Sequence, residues 1–386
     1  MGQVALLLFS CLGSERMKVL HFLDTTNRGG AEIQVLDICR NAGCFGLQMT
    51  FVTAQGGALE EDFQQSGAEF FRFNRRFPLD LGLIFDLRKI IREKEIDIVQ
   101  GYQAVEGLHL YLATKNLPKV KKVLSFQGGT IYDWKNHWTL RFLIPRMDAN
   151  IVVSQSLKKL HSEIDGFDTS NFSVIHNGAD PYRLQPTGSD LRKELKLSGE
   201  HLLIGMVGNF YREPRKDQMT LCRALPEVFR EMPNVHCVFV GKVEHGAEDK
   251  KSACESFCRE NGIADRVHFL GARSDISDIL NALDVFVLSS LREGLPVAVS
   301  EAMLARLPLI LSDIEPLLEV SDGGKYAEIF AVGDATELSN KLLKLLKSRE
   351  LRESLATRSF QFAKENFSIE AHLKALKQLY KKILEQ

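Results

Sequence analysis

From Met17 onward the chain alternates short apolar runs with longer amphipathic stretches, and it does so in two successive series. The first series is VLHFL (19–23), MTFVT (49–53), IDIVQ (96–100), KVLSF (122–126), ANIVVS (149–154) and FSVIHN (172–177). The second is LLIGMVG (202–208), HCVFVG (236–241), VHFLG (267–271), DVFVLSS (284–290), LPLILSD (307–313) and AEIFAV (327–332). The runs are rich in β-branched and aromatic residues and nearly continuous in apolarity, as strands covered on both faces of a parallel sheet are. The segments between them, 79–94 for example, carry helical spacing. The pattern predicts an α/β chain of two Rossmann-like domains. Residues 181–200 are rich in turn formers and hold no strand, which places the hinge there. The expected division is a first domain over 17–185, completed by a terminal amphipathic helix over 369–386, and a second domain over 186–368. Open parallel sheets take ligands beyond the C-terminal ends of their strands. Two such ends facing each other would make an interdomain active site.

Composition narrows the function classes. Over 386 residues, 49 Lys and Arg stand against 50 Asp and Glu, a formal net charge of -1. That balance removes the electrostatic basis for nucleic-acid binding. The seven cysteines, at 11, 39, 44, 222, 237, 254 and 258, are odd in number and scattered, which fits a reducing, cytoplasmic setting. Cys254 and Cys258 lie one helical turn apart, but no second Cys or His pair has zinc-like spacing, so no metal site is expected. The apolar run at 4–12 is half the length of the ~20 residues needed to cross a bilayer. It also lacks the preceding Lys or Arg of a secretory signal. Residues 1–16 therefore read as a disordered extension from an upstream start codon.

Three loops carry candidate chemistry. Gly29-Gly30-Ala31-Glu32 follows the first strand and opens a helix, where close backbone approach and free amides suit an anion. It is not the G-x-G-x-x-G fingerprint, which lowers the dehydrogenase reading. After Gly208 comes Asn209-Phe210-Tyr211-Arg212-Glu213-Pro214-Arg215-Lys216-Asp217. Arg212, Arg215 and Lys216 precede a helix capped by Asp217, and they could grip a diphosphate or form a solvated basic loop. Pro226 is expected to kink or divide that helix. The sharpest element is Glu293-Gly294-Leu295-Pro296-Val297-Ala298-Val299-Ser300-Glu301. Pro296 suits a first helical turn, leaving the amides of Val297 and Ala298 as free donors for a phosphate. Glu301, farther into the helix, can accept two adjacent hydroxyls, as a ribose offers; the plainer reading is that Glu301 caps or pairs locally and Glu293 lies at the surface.

Taken together, Gly29-Gly30-Ala31-Glu32, the loop ending in Lys216, Val174–Asp180 (VIHNGAD) and the Glu293-x7-Glu301 segment within SSLREGLPVAVSEAM resemble the family-four retaining glycosyltransferases of the GT-B fold. The similarity runs from about Met17 to the end. It implies transfer of a sugar from a nucleotide-sugar with retention, no bound metal and no cofactor beyond the nucleotide-sugar substrate. By the same resemblance Lys216 binds the diphosphate, Glu293 the donor sugar and Glu301 the ribose. The Gly29-Gly30 loop then closes on the diphosphate, and Gly271-Ala272-Arg273-Ser274 holds the nucleobase. Three positions depart from the family. Asn209 stands where an Arg is usual, with Arg212 or Arg215 as the substitute. Gln127 stands where a His usually faces the transferred sugar; its amide can hydrogen-bond a hydroxyl but cannot act as a base. Gln100-Gly101-Tyr102-Gln103 replaces a His-bearing segment.

The resemblance implies a saccharide or lipid-linked saccharide acceptor and a role in bacterial cell-surface polysaccharide synthesis. Trp134 and Trp138, with Lys135, Arg141, Phe142 and Arg146, form a basic aromatic stretch; residues 71–77 and the lysines 119, 121 and 122 form others. Such interleaving suits peripheral contact with an anionic membrane, while the plainer reading is ordinary helix–sheet packing. The departures at Asn209 and Gln127 motivate an alternative, a catalytically silent GT-B partner subunit that binds nucleotide or sugar. A sugar-nucleotide epimerase on the same fold is disfavoured by the paired-glutamate helix.

Overall fold

The computed structural model describes residues 16–128 and 133–386. The apolar run at 4–12, Cys11 and Gly129 lie outside the described residues. The chain forms two compact units, one running to Gly178 and adding Ile369–Gln386, the other spanning Ala179–Ser368. Their boundary falls ahead of the turn-rich segment, because Ala179 already pairs with Ser368 and its amide donates to the carbonyl of Phe367.

Seven parallel strands make the sheet of the first unit: β1 (Met17–Leu23), β2 (Leu47–Thr53), β3 (Glu69–Arg72), β4 (Ile98–Gly101), β5 (Lys121–Phe126), β6 (Ala149–Val152) and β7 (Phe172–Val174). Their order is β3-β2-β1-β4-β5-β6-β7, so direction of travel reverses between β1 and β4. Val19 pairs with Met49 on one side and Ile98 on the other. In the second unit, β8 (Leu202–Val207), β9 (Val235–Val240), β10 (Val267–Gly271), β11 (Val285–Leu288), β12 (Leu309–Ser312) and β13 (Glu328–Phe330) are ordered β10-β9-β8-β11-β12-β13, again with the reversal beside the first strand. Each sheet thus has a switch point, where open α/β sheets bind ligands. The helix Gln218–Glu231 runs through Pro226 as one element, with the Asp217 carboxylate accepting from the amide of Thr220 at 3.2 Å. Cys254 and Cys258 are both buried in this unit, as is Cys222.

One strand escapes the sequence reading. β3 is a four-residue edge strand, Glu69-Phe70-Phe71-Arg72, with no alternation to announce it. Its formation dismantles much of the aromatic-basic patch expected at 71–77. Phe71 and Phe73 pack against the core, Arg72 pairs with Glu60, and Arg75 pairs with Asp24. Lys121 and Lys122 likewise face Asp148.

The terminal helix Ile369–Leu384 buries Ile369, Leu373, Leu376, Tyr380 and Ile383 in the core of the first unit, a 4-3-4-3 spacing that presents one continuous face. At the centre of that face lies a closed polar ring. The Tyr380 hydroxyl donates to Gln100 Oε1 (2.6 Å), and Gln100 Nε2 donates to the Tyr102 hydroxyl (3.0 Å). Tyr102 lies 2.8 Å from His21 Nδ1, and His21 Nε2 lies 3.1 Å from Tyr380. Tyr380 has one proton and spends it on Gln100, so it accepts from His21 Nε2–H; Nδ1 is then the acceptor for Tyr102. Burial lowers the His21 pKa to about 3, which keeps the imidazole in this neutral tautomer. Gln100 thus joins the last helix directly and Tyr102 joins it through Gln100 and His21, with both side chains buried. Replacing Tyr380 by Phe strands a buried amide oxygen and a buried imidazole N–H. It should lower unfolding stability by about 1–3 kcal/mol per stranded group; an unchanged urea midpoint would contradict the ring.

Candidate active site

In the second unit, β8 and β11 are neighbours, and the loops that leave their C-terminal ends are sewn together. Lys216 pairs with Ser290 in antiparallel fashion, the Asp217 amide donates to the Ser289 carbonyl (3.0 Å), and the Leu291 amide donates to the Arg215 carbonyl (2.7 Å). This pairing sets Lys216 Nζ 2.5 Å from Glu293 Oε1, with both side chains largely buried at 8% and 13% exposure. The Ser290 hydroxyl donates to the same carboxylate oxygen. Gly208 clears the way for the lysine stem: a Cβ there would lie 3.1 Å from Lys216 Cε. Burial, and next the charge of Glu293, raise the pKa of Tyr211, so a phenol adjoins the pair. Removing either member of a pair this secluded leaves the other a costly uncompensated charge.

Pro296 is the N-cap of the helix Val297–Leu304, one position earlier than its expected place in the first turn. The first amides of the helix, those of Val297 and Ala298, are the ones a helix leaves without internal partners. Glu301 is buried in this helix, and its Oε1 accepts from Arg183 Nη2 at 2.8 Å. Asn209 turns its side-chain oxygen to the Lys242 amide (3.0 Å). Arg215 lies over the Tyr211 ring and 3.4 Å from Glu213, while the Arg212 amide donates to Glu244. The Arg273 guanidinium is taken up by Asp275 and Glu194, which leaves the backbone of 271–274 as the available recognition surface there. Arg183 was not foreseen; it sits in the segment read only as a hinge.

In the first unit, Gly29 is the extended N-cap of the helix Gly30–Asn41, and the Glu32 carboxylate folds back over it. The preceding loop is braced from three sides. Arg75 grips Asp24 with two 2.7 Å hydrogen bonds. The Leu59 amide donates to the Thr26 carbonyl, with Gly57 so close that a Cβ would lie 2.4 Å from the Thr26 and Asn27 backbone. Glu106 Oε1 accepts from the Asp24 amide at 3.1 Å. Gln127 Nε2 donates to Ser125 (3.1 Å). Several buried polar atoms beyond the ends of β1, β4, β5 and β7 have no partner among the described residues: Thr26 Oγ1, Glu106 Oε2, Gln127 Oε1 and Asn177 Oδ1. Native interiors seldom leave such atoms unpaired, and these four lie beyond strand ends, where open sheets take ligands.

Burial pushes the Glu106 pKa up to about 7 from an ordinary 4.5, against the help of the Asp24 amide. The folded state then holds a proton that the unfolded chain has released, so this group's contribution to stability falls as pH rises from 4.5 toward 7. Glu106→Gln should gain stability over the parent progressively between pH 5 and 8, by up to ~3 kcal/mol at about 1.4 kcal/mol per pKa unit. Chemical denaturation across that range checks it; a pH-independent difference would count against the buried acid.

Comparison with known proteins agrees with both units. Residues 28–183 match the family described as Glycosyltransferase Family 4, and residues 201–348 match Glycosyl transferases group 1. The N-acetyl-alpha-D-glucosaminyl L-malate synthase of Bacillus anthracis is 23% identical over 317 residues, 80% of each chain. The UDP-Gal:alpha-D-GlcNAc-diphosphoundecaprenol alpha-1,3-galactosyltransferase of Escherichia coli is 27% identical over 285 residues, 69% of this chain and 72% of its own. Among solved structures, Anabaena Alr3699/HepE in complex with UDP and glucose has a TM-score of 0.81 at 20% identity, covering 95% of this chain and all of that one. WaaG, a glycosyltransferase involved in lipopolysaccharide biosynthesis, has a TM-score of 0.67 at 15% identity, covering 94% of this chain and 99% of its own. With its two parallel-sheet units arranged in the same strand order, the chain belongs to the group 1 glycosyltransferases of the GT-B fold.

Proposed function

We propose that the protein moves a sugar from a nucleoside diphosphate-sugar to a saccharide or lipid-linked saccharide acceptor. Configuration is retained at the transferred carbon and no metal is bound; the setting is bacterial cell-surface polysaccharide synthesis. The observation that carries this reading is the secluded Lys216–Glu293 pair at the switch point of the second sheet, one loop away from the open amides of Val297 and Ala298. A donor diphosphate replaces the carboxylate as partner of Lys216, and the released Glu293 turns to the sugar hydroxyls. Ribose hydroxyls take the place of Arg183 on Glu301, while Arg212 and Arg215 add positive charge. In the reaction the bond between the anomeric carbon and the diphosphate oxygen breaks, and its electron pair stays on the diphosphate. Lys216 and the helix amides stabilise that charge as it develops, in place of an ion. The acceptor hydroxyl forms the new bond on the same face and passes its proton to the departing diphosphate oxygen. In the first unit, Gln127 offers its unpaired amide oxygen to a sugar hydroxyl, and the Gly29-Gly30 helix start offers amides to an anion. The Escherichia coli relative, named for a UDP-sugar donor and a diphosphoundecaprenol acceptor, supports these substrate classes, as do the UDP and glucose bound to HepE.

A lipid-linked acceptor fits the exposed aromatics of the first unit. Trp134 and Trp138 are 67% and 63% exposed on the helix Trp134–Leu143, with the charges of Lys135 and Arg141 over their rings. Among the described residues no helix is long and apolar enough to cross a membrane. This face makes peripheral contact with the anionic inner leaflet, where indoles seat at the headgroup level and the cations meet lipid phosphate. Flotation with anionic but not neutral liposomes, lost in the Trp134→Ala/Trp138→Ala double variant, is expected; no flotation with either would remove the contact.

A second reading rests on Asn209 and Gln127, whose polar groups are partly engaged by Lys242 and Ser125: the protein binds a nucleotide-sugar without turning it over. Release of nucleoside diphosphate from a panel of nucleotide-sugars, each offered with lipid-linked and free saccharides, separates the two. Transferase activity predicts release with at least one donor, lost at least a hundredfold in Lys216→Ala; tight donor binding without release from any pair favours the silent protein.

A further inference from the structure

Three separate contacts shape the loop from Gly208 to Asp217. Its first residues are tied to the connection that follows β9: Gly208 donates to Val240, Phe210 donates to Lys242, and the Glu244 amide donates back to Phe210. Its last residues are sewn to 289–291, as described above. The middle, Tyr211-Arg212-Glu213, belongs to neither strand pairing. Its carbonyls converge instead on one ammonium group: Lys250 Nζ donates to the carbonyl oxygens of Tyr211 (2.6 Å), Arg212 (3.0 Å) and Glu213 (3.1 Å). An ammonium has three N–H donors, and here all three are used on consecutive residues of one loop.

The position of Lys250 makes this arrangement informative. It lies in the first turn of the helix Glu248–Glu260, where a cation opposes the helix dipole, so the helix gains nothing from it. The loop gains a great deal. In a trans peptide the carbonyl and the amide of one unit point in opposite directions. With the Tyr211 and Arg212 carbonyls on Lys250, the Arg212 and Glu213 amides point away from it; that of Arg212 goes to Glu244, and Pro214 contributes no amide at all. Lys250 thus sets the peptide orientations of the segment that carries Arg212 and leads into Arg215 and Lys216.

We propose that Lys250 is a positioning residue for the donor site: it holds the middle of the long loop so that the backbone carrying Arg212, Arg215 and Lys216 is already in place when the diphosphate arrives. It does not touch the reacting atoms. The inference rests on the reading of Lys216 as the diphosphate ligand, and the experiment separates the two. Inorganic pyrophosphate, which carries no base or sugar, is titrated calorimetrically into the full-length parent and into Lys250→Met, Lys250→Arg and Lys216→Ala variants, with melting temperatures measured alongside. The expected outcome is a fivefold to twentyfold weaker Kd in Lys250→Met, largely recovered in Lys250→Arg, with both melting within a few degrees of the parent. The donor KM, measured with whichever nucleotide-sugar turns over, should rise in the same variant while the acceptor KM stays put. If Lys216→Ala weakens pyrophosphate binding but Lys250→Met binds like the parent, the positioning role is wrong and the diphosphate site stands. If Lys216→Ala itself has no effect, the diphosphate reading fails, and the role of Lys250 with it. Should Lys250→Met not fold, Lys250→Gln, whose shorter side chain and two N–H donors cannot reproduce the three carbonyl contacts, takes its place; parental affinity in that variant would overturn the proposal.

Discussion

The arrangement of the donor-side residues depends on an ion pair held away from water. Lys216 and Glu293 come from loops on adjacent strands, β8 and β11, and each lies where its charge would be costly alone. Their mutual attraction compensates that cost, and the backbone pairing of Lys216 with Ser290 fixes the geometry. The same seclusion makes the pair responsive. In the proposed donor complex a diphosphate, with more negative charge than one carboxylate, takes the place of Glu293 at Lys216 and frees that carboxylate. Arg183 and Glu301 repeat the logic beside it, a cation keeping a carboxylate company in a spot suited to hydroxyls.

The first unit is organised differently. Its polar groups are divided between those consumed in structure and those left open. His21, Gln100, Tyr102 and Tyr380 close on one another and join the end of the chain to the middle of the sheet. Asp24 is enclosed by Arg75, Gln55 and the backbone contact to Glu106, which steadies the loop ahead of Gly29. Around these closed networks lie the unpaired atoms of Thr26, Glu106, Gln127 and Asn177. A rigid frame bordered by unsatisfied donors and acceptors suits recognition of a hydroxyl-rich molecule.

Much of this was legible from the sequence, for physical reasons that also explain the omissions. Buried parallel strands must be apolar nearly throughout, so twelve of them announce themselves as runs; β3, a short edge strand of mixed exposure, does not. The places of Glu293, Glu301 and Lys216 beside a strand end or in a helix were legible from local spacing, while their roles rest on the family resemblance. Arg183, Lys250 and Glu106 are not legible, because their meaning lies in contacts across 118, 39 and 82 residues of chain. Gln100 and Tyr102 stand where the family has a His-bearing segment, but Gln100 bonds a helix 280 residues later and Tyr102 bonds Gln100 and His21. Position along a strand predicts where a side chain is, while the return of distant elements decides whether it is free.

The most direct test is a crystal structure of the protein with uridine diphosphate or guanosine diphosphate bound. The account predicts diphosphate oxygens within hydrogen-bonding distance of Lys216 Nζ and the amides of Val297 and Ala298, with the Lys216–Glu293 contact opened. A nucleotide bound elsewhere, with that contact intact, would contradict it.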